Sequence, residues 1–241
     1  MDTAEDWDGP RKILVILAHP DDPEFFCGAS IARWTSAGHI VNYCLLTRGD
    51  KGEKDFSLTS EDVALNREKE QLAAAKILNV KSVKFLHEPD GYLVPDIRLR
   101  RDVVRVIRQE KPDILVTCDP TNIFPNGRGI NHPDHRAAGQ VVVDAVFPAA
   151  GNDFFFPDLI ISEGLKPHQV KEVWMSVTSQ PNTVLDVTDY WDQKINALMQ
   201  HKSQIGDPEE FKKRMRARAV NNNGNSQNPK YEEQFFRIKY G

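Results

Sequence analysis

The apolar run Ile13–Ala18 is the feature that most constrains the fold, because a cluster of polar and charged side chains follows it at once. The run indicates a buried strand, and the next residues read His-Pro-Asp-Asp-Pro-Glu at positions 19–24. Open α/β sheets place their functional groups where a buried strand ends. We therefore expect an α/β sheet with a functional loop at residues 19–24.

Apolar strand-like runs alternate with helical patterns along the first half of the chain. Predicted strands cover residues 12–18, 40–47, 82–86 and 113–118. Predicted helices cover residues 25–37, 59 or 60 to 78, and 97–109. Strands joined by helices of this length imply right-handed crossovers and a parallel sheet. The predicted fold class is α/β: a Rossmann-like, mostly parallel sheet flanked by helices.

The pattern of the second half is less regular. It predicts a helix from 133 or 134 to 147, strands at 170–177 and 183–187, and helices at 189–204 and 208–219. A flexible polar connector at 221–226 then leads to an aromatic tail at 231–240, which is expected to dock on the body. Because we see no internal repeat or domain boundary, we expect a single domain over residues 1–241, with a flexible N-terminus (1–11) and a C-terminal helix and tail (207–241).

Two of the predicted helices carry apolar faces that should point inward. In the helix at 60–78 the face is Val63, Leu65, Leu72, Ala75 and Leu78. In the helix at 97–109 it is Leu99, Val103, Val106 and Ile107. The arginines of this second helix favour a solvated exterior balanced by acidic neighbours over a nucleic-acid face.

Composition excludes several classes of protein. The formal net charge of −4 gives no basic field for a phosphate backbone, so we expect no nucleic-acid partner. No apolar stretch approaches the length of a membrane span, and the acidic residues 1–6 do not resemble a secretion signal. Cys27, Cys44 and Cys118 fit no CxxC spacing, which favours free thiols in a reducing cytosol and hence a cytoplasmic location.

The loop after the first strand also argues against a nucleotide cofactor. It contains no G-x-G-x-x-G, and the chain has no P-loop lysine followed by Ser or Thr. Acidic side chains at this position would repel a pyrophosphate. A nicotinamide- or ATP-dependent enzyme is therefore disfavoured.

A second His-Pro-Asp sequence, within Asn131–His135, favours a mononuclear metal site built from two loops. Catalytic zinc usually takes three ligands from His, Asp, Glu or Cys and keeps one position for water. The side chains of Asp21 and Asp22 diverge because the two residues are neighbours, so only one of them should bind the ion. The same division is expected for His132 and His135. Either motif alone is also typical of a helix N-cap turn. Iron, cobalt or nickel would tolerate the same ligands as zinc.

At these motifs the chain resembles the LmbE-like, or PIG-L, deacetylases. The family's Ala-His-Pro-Asp-Asp-x-Glu turn is matched at residues 18–24, and its later His-x-x-His-type motif at 132–135. Further likenesses are the Thr-x-Gly-x-x-Gly turn at 47–52, the Arg-Glu pair at 67–68, the Asp-Gly loop at 90–91 and the His-x-Ser-Gln segment at 201–204. One departure is that Gly28 is followed by Ala29, where the family often has two glycines.

The resemblance implies zinc, or another divalent metal, together with a set of roles at the reacting centre. The implied metal ligands are His19, Asp22 and His135, with Asp21 as general base, His132 as acid or electrophile, and Asp134 as the partner that orients His132. An adjacent Asp134 carboxylate would keep His132 protonated near neutral pH.

The reaction implied by the resemblance is hydrolysis of the N-acetyl group of an N-acetylglucosamine-type sugar or its conjugate, a small-molecule substrate. Arg67 and Asp90 are the implied sugar contacts, although a surface ion pair and a turn aspartate are equally typical. The alternatives are an amidase for a sugar-thiol conjugate and a non-catalytic metal- or sugar-binding protein. The loops 119–130 and 151–165 indicate a rim, a lid or an interface in a homo-oligomer. For residues 154–157, core packing is favoured over an aromatic platform for a sugar ring or a subunit contact.

Overall fold

The computed structural model describes residues 5–53, 57–127, 129–220 and 228–240. The predicted connector at 221–226 lies outside these residues. The described strands are β1 Lys12–Leu17, β2 Ile40–Thr47, β3 Ser82–Glu88, β4 Ile114–Cys118, β5 Glu172–Ser176, β6 Thr183–Asp186 and β7 Glu232–Lys239. The described helices are α1 Asp22–Ser36, α2 Ser60–Ile77, α3 Ile97–Glu110, α4 Pro133–Asp144, α5 Pro157–Ile161, α6 Trp191–Leu198, α7 Lys202–Ile205 and α8 Pro208–Arg216.

The described strands form one sheet in the order β3-β2-β1-β4-β5-β7-β6. The first five in this order are parallel, and β7 runs antiparallel between β5 and β6. Ile13 of β1 pairs with Val41 of β2 on one side and with Ile114 of β4 on the other. The chain therefore leaves β1 towards one edge and returns to β4 on the opposite side. This reversal opens a crevice at the carboxyl ends of β1 and β4.

Helices cover both faces of the sheet, which explains the uninterrupted apolar sequence of β1. Ile13, Val15 and Leu17 belong to the core shared with α1, α2 and α6. The alternate residues Leu14 and Ile16, followed by Ala18, belong to the core shared with α3 and α4. The α/β fold class predicted from the sequence is confirmed.

Helix α2 begins as predicted, but its buried face differs from the predicted one. Thr59 caps the helix in a reciprocal capping box with Asp62. Leu65 and Leu72 are 43% and 52% exposed, so their predicted inward orientation is wrong. Their places on the buried face are taken by the polar residues Arg67, Glu70 and Gln71. Arg67 and Gln71 turn towards the loop after β1, and Glu70 accepts from Ser203.

Helix α3 follows the prediction closely. Its four predicted inward residues are all buried. On the outer side, Arg98 pairs with Glu88 at 2.6 Å and Arg105 pairs with Glu163 at 2.8 Å. The arginine charges are therefore balanced by acidic neighbours.

The C-terminal third departs most from the prediction. The predicted helix at 189–204 is divided into a 3₁₀ turn at Thr188–Tyr190, α6 and α7. The aromatic tail is the strand β7, whose alternating residues Glu233, Phe235 and Arg237 are buried. It completes the sheet because it pairs with both β5 and β6.

Two further features bear on the setting of the protein. Within the described ranges, every helix is too short or too polar to span a bilayer. Cys27, Cys44 and Cys118 are buried free thiols.

Candidate metal centre and active site

The first corner of the site is the turn between β1 and α1. The backbone N–H of His19 donates to Oδ2 of Asp22 at 2.8 Å, and Nδ1 of the His19 ring lies 3.3 Å from the same oxygen. Both residues are buried. The turn therefore directs an imidazole and a carboxylate to the same side of the crevice.

The second corner is the N-terminus of α4. His132 is the N-cap residue, and its Nδ1 accepts a hydrogen bond from the backbone N–H of Asp134 at 3.2 Å. Nε2 of His135 lies 3.1 Å from Oδ1 of Asp22, and its Nδ1 lies 3.0 Å from Oδ1 of Asn131. The Asp22 carboxylate thus contacts one ring from each corner.

Helix α4 reaches this position because Gly139 lies directly against the end of β4. A Cβ at residue 139 would lie 2.3 Å from the carbonyl oxygen of Cys118. The ring centroid of His19 consequently lies 5.2 Å from that of His135 and 4.7 Å from that of His132. The two His-Pro-Asp loops meet at the crevice between β1 and β4.

The donor atoms have the chemistry and spacing that a divalent metal requires. Ligand atoms of His19, His132 and His135 all lie within 4.8 Å of one another. The Asp22 oxygens lie 3.3 Å and 3.1 Å from nitrogens of His19 and His135. Two atoms bound at about 2.0–2.1 Å to one tetrahedral zinc lie roughly 3.3 Å apart. These spacings fit a divalent metal: the three-histidine group contains the predicted ligands His19 and His135, and Asp22 contacts both.

Acidic side chains surround the His19 ring. Its Nε2 lies 3.1 Å from Oδ1 of Asp90 and 3.3 Å from Oδ2 of Asp134. Burial lowers the pKa of His19, but the carboxylates of Asp22, Asp134 and Asp90 outweigh burial and raise this pKa to about 12. Burial in turn opposes the ionised form of Asp22, yet His135 and His19 hold the pKa of Asp22 well below its usual range. The site therefore favours an added positive charge, whether a proton or a divalent cation.

Asp21 stands beside this group in an unusual backbone conformation. Its φ of +90° lies in the left-handed region, and its side chain does not cap α1 although Asp21 is the N-cap residue. Oδ2 of Asp21 lies 3.2 Å from Nη2 of Arg67. Burial raises the pKa of Asp21 to about 6, with Arg67 opposing the rise and Asp22 adding to it. A carboxylate with a pKa close to neutrality is suited to act as a general base.

The carboxylate of Asp134 is directed at other partners than the ring of His132. It accepts hydrogen bonds from the backbone N–H groups of Gly91 at 2.7 Å and Leu93 at 3.2 Å, and it lies 3.3 Å from Nε2 of His19. Burial and the two neighbouring imidazoles lower the pKa of His132, which outweighs the opposing effect of Asp134. The expectation that Asp134 keeps His132 protonated is therefore wrong. Because Nδ1 of His132 accepts a hydrogen bond, the neutral ring carries its proton on Nε2.

The two predicted sugar contacts are both buried. Arg67 is 4% exposed and donates to the carbonyl oxygens of Gly49 at 3.1 Å and Pro20 at 2.6 Å. Asp90 is 6% exposed and accepts from the backbone N–H of Lys51 at 3.1 Å. Both side chains therefore lie inside the site: Arg67 contacts Asp21, and Asp90 contacts the His19 ring.

The chain is similar to a known protein family and to several known proteins. The family model for GlcNAc-PI de-N-acetylase, PIG-L, matches residues 14–146. The chain belongs to the PIG-L family. It is 35% identical over 201 residues to diacetylchitobiose deacetylase of Thermococcus kodakarensis, covering 83% of this chain and 73% of that protein.

Two further PIG-L relatives show the extent of the likeness. A probable N-acetyl-α-D-glucosaminyl L-malate deacetylase 2 of Bacillus subtilis is 29% identical over 199 residues, covering 80% of this chain and 83% of that one. The solved structure of N,N'-diacetylchitobiose deacetylase from Pyrococcus horikoshii, in complex with its inhibitor MPG, superposes with a TM-score of 0.83 at 29% identity. That superposition covers 95% of this chain and 84% of the other.

The structure also brings side chains to the PIG-L site to which sequence reasoning gave no role. Asn131 orients the His135 ring, and Gln71 accepts a hydrogen bond from the backbone N–H of Asp21 at 2.8 Å. The signal for Gln71 was present in α2, because Arg67, Glu70 and Gln71 share one face of the helix. Polar residues at this spacing indicate a helix face directed at a polar site.

The two long loops lie at different places relative to the site. Loop 119–130 leads from β4 to the second corner and exposes Ile123 and Phe124. Loop 151–165 contains α5, and its Phe154 is 92% exposed, so the expected core packing is wrong for this residue. Phe155 and Phe156 do pack against the core beside α3 and α4.

Proposed function

We propose that this protein is a zinc-dependent hydrolase that removes the N-acetyl group from an N-acetylglucosamine-type sugar or its conjugate. The observation that carries the proposal is the position of the half-buried Asp21 carboxylate beside the imidazole and carboxylate group at the β1–β4 crevice. The relatives described above support the same reaction class, since they are named as deacetylases of diacetylchitobiose and of a glucosaminyl malate.

The proposed zinc ligands are His19, Asp22 and His135, which agree with the usual count for catalytic zinc. When bound, zinc lowers the pKa of water to about 7 and polarises a carbonyl group. Asp22 carries the charge that balances the ion, and its contacts with both rings hold the two corners in register. The carboxylates of Asp90 and Asp134 accept from Nε2 of His19 and fix the ring so that Nδ1 faces Asp22.

The remaining polar side chains are placed to move and stabilise charge. Asp21 accepts a proton from the attacking water and returns one to the departing amine. The guanidinium of Arg67, 3.2 Å away, holds Asp21 and limits the rise of its pKa. The neutral ring of His132 presents its Nε2–H as a hydrogen-bond donor for the oxyanion that develops on the amide carbonyl.

Acetate release from N,N'-diacetylchitobiose and from N-acetylglucosamine tests the proposal. Asp21→Asn should retain zinc and lose about 10²–10⁴-fold in kcat, because it removes the proton acceptor. Asp189→Asn is the matched control, since it makes the same chemical change at an exposed residue that has no part in the proposed site. Full activity of Asp21→Asn would contradict the mechanism. Sugar binding by the zinc-loaded protein without acetate release would instead support a non-catalytic binding protein.

We further propose that the chain is a single domain and that it is cytoplasmic. The single domain is supported by one sheet that joins strands from residue 12 to residue 239. The location is supported by three buried, unpaired cysteines.

A further inference from the structure

The left-handed backbone of Asp21 is held by a side chain from α2. A residue other than glycine keeps a φ of +90° only where its surroundings enforce it. The backbone N–H of Asp21 donates to Oε1 of Gln71 at 2.8 Å, and Gln71 is completely buried. This hydrogen bond fixes the peptide group that sets the direction of the Asp21 side chain.

Glu24 fixes the orientation of the Gln71 amide. The Gln71 Nε2 donates to both Glu24 oxygens, at 3.0 Å and 3.1 Å. The amide therefore turns its NH₂ group to Glu24, which leaves its oxygen to accept from the backbone N–H of Asp21. Glu24 is itself completely buried in the first turn of α1, and it therefore determines which end of Gln71 meets the Asp21 backbone.

His201 completes this chain of contacts from the far side. Its Nε2 lies 3.2 Å from Oε2 of Glu24, and the residue is completely buried. Within the described part of the chain its Nδ1 has no hydrogen-bond partner, so Glu24 is the polar contact that anchors the ring. The adjacent Ser203 donates to the Glu70 carboxylate at 2.9 Å and 2.7 Å, which attaches the same segment to α2.

We propose that Glu24, Gln71 and His201 are positioning residues that hold Asp21 in its left-handed conformation and so aim its carboxylate into the site. They act on the reaction through the backbone of Asp21. The proposed reaction assigns no role to the His-x-Ser-Gln segment at 201–204, and this inference assigns it a positioning role. It rests on the proposed function, in which Asp21 is the proton acceptor.

The variant Gln71→Met tests the inference, because it keeps the length of the side chain and removes its hydrogen bonds to Asp21 and to Glu24. We expect kcat for acetate release to fall at least tenfold, while KM and the zinc content stay unchanged. A crystal structure of Gln71→Met should show Asp21 with φ outside the left-handed region. If Gln71→Met does not fold, Glu24→Gln is the second variant, since it replaces one of the two acceptor oxygens with an NH₂ group that faces the donors of Gln71 and His201. It should show a smaller loss of kcat together with a smaller displacement of Asp21.

Asn182→Leu is the matched control. The Asn182 amide likewise accepts from a backbone N–H and donates to a carbonyl, both of Arg237, at 2.7 Å and 2.9 Å on the β6–β7 side of the sheet. It should change thermal stability and leave kcat unaltered. Unchanged kcat in Gln71→Met, an unmoved Asp21, or zinc loss in parallel with activity would overturn the inference. Absence of acetate release by the wild-type protein, or full activity of Asp21→Asn, would overturn the proposed function instead.

Discussion

The substitution Gly139→Ala tests whether the close contact between α4 and β4 positions the site. Alanine normally stabilises a helix interior by roughly 0.5–1 kcal/mol relative to glycine, so helix propensity alone predicts a more stable protein. The structure predicts the opposite sign. The new Cβ would lie 2.3 Å from the carbonyl oxygen of Cys118 and 3.0 Å from the backbone nitrogen of Pro120. Both atoms belong to the backbone and cannot rotate away.

The magnitude follows from the missing space. Carbon and oxygen atoms in contact lie about 3.3 Å apart or more, so α4 must move by about 1 Å. Overpacking of this kind costs about 1–3 kcal/mol and exceeds the gain in helix propensity. In a chain of this size, each kcal/mol lowers Tm by about 2–4 °C. Because α4 carries His132 and His135, a displacement of about 1 Å should also lower kcat/KM by about 100-fold.

The assay combines thermal unfolding, acetate release and zinc affinity measured by competition with a chelator. Gly28→Ala in α1 is the control, because its Cβ would meet the Cγ methylene of Lys194 at 3.2 Å instead of a backbone atom. Gly28→Ala should stay close to wild type in activity and zinc affinity. A Gly139→Ala protein with raised Tm, unchanged zinc affinity and unchanged kcat/KM would refute the reasoning.

Two further predictions concern buried groups away from the reacting centre. Lys194 and Glu233 form a buried ion pair at 2.6 Å, so Lys194→Met should lower the unfolding free energy by about 3–5 kcal/mol in a denaturant titration. The double variant Lys194→Met/Glu233→Gln should recover part of this unfolding free energy, because Glu233 is then no longer an unpaired buried charge. A double variant as unstable as Lys194→Met, or less stable, would exclude the unpaired charge as the cause. Burial raises the pKa of Cys44 to about 12 and also raises the pKa of Cys27 and Cys118, so all three thiols stay neutral at pH 8. Ellman's reagent should therefore hardly label the native protein and should label three thiols after unfolding. Rapid labelling of the native protein would show that the cysteines are accessible to solvent.

The strands that carry the site could be predicted because their sequences are continuously apolar. β2 was predicted at 40–47, and the structure has the same bounds. β1 and β4 were predicted to within one residue at each end, and their order in a crossover fold is sufficient to bring the loops that follow them together. The meeting of the two His-Pro-Asp loops is thus a consequence of local patterns that are visible in the sequence.

The details that could not be predicted depend on contacts between distant segments. The helix predicted at 189–204 is interrupted before α7, where the buried ring of His201 reaches Glu24, a partner far away in sequence. The resemblance implies Asp134 as the partner of His132, whereas its carboxylate meets backbone N–H groups of the loop that precedes α3. The tail at 231–240 was not predicted as a strand, since its pairing partners β5 and β6 are strands from elsewhere in the chain.

Anomalous diffraction at the zinc absorption edge, from crystals grown with one equivalent of zinc, tests the central claim most directly. We expect a single peak within about 2.0–2.2 Å of Nδ1 of His19, a carboxylate oxygen of Asp22 and Nε2 of His135. A peak bound by His19, Asp90 and Asp134, or zinc found only at the protein surface, would contradict the claim that the two loops bind one catalytic ion.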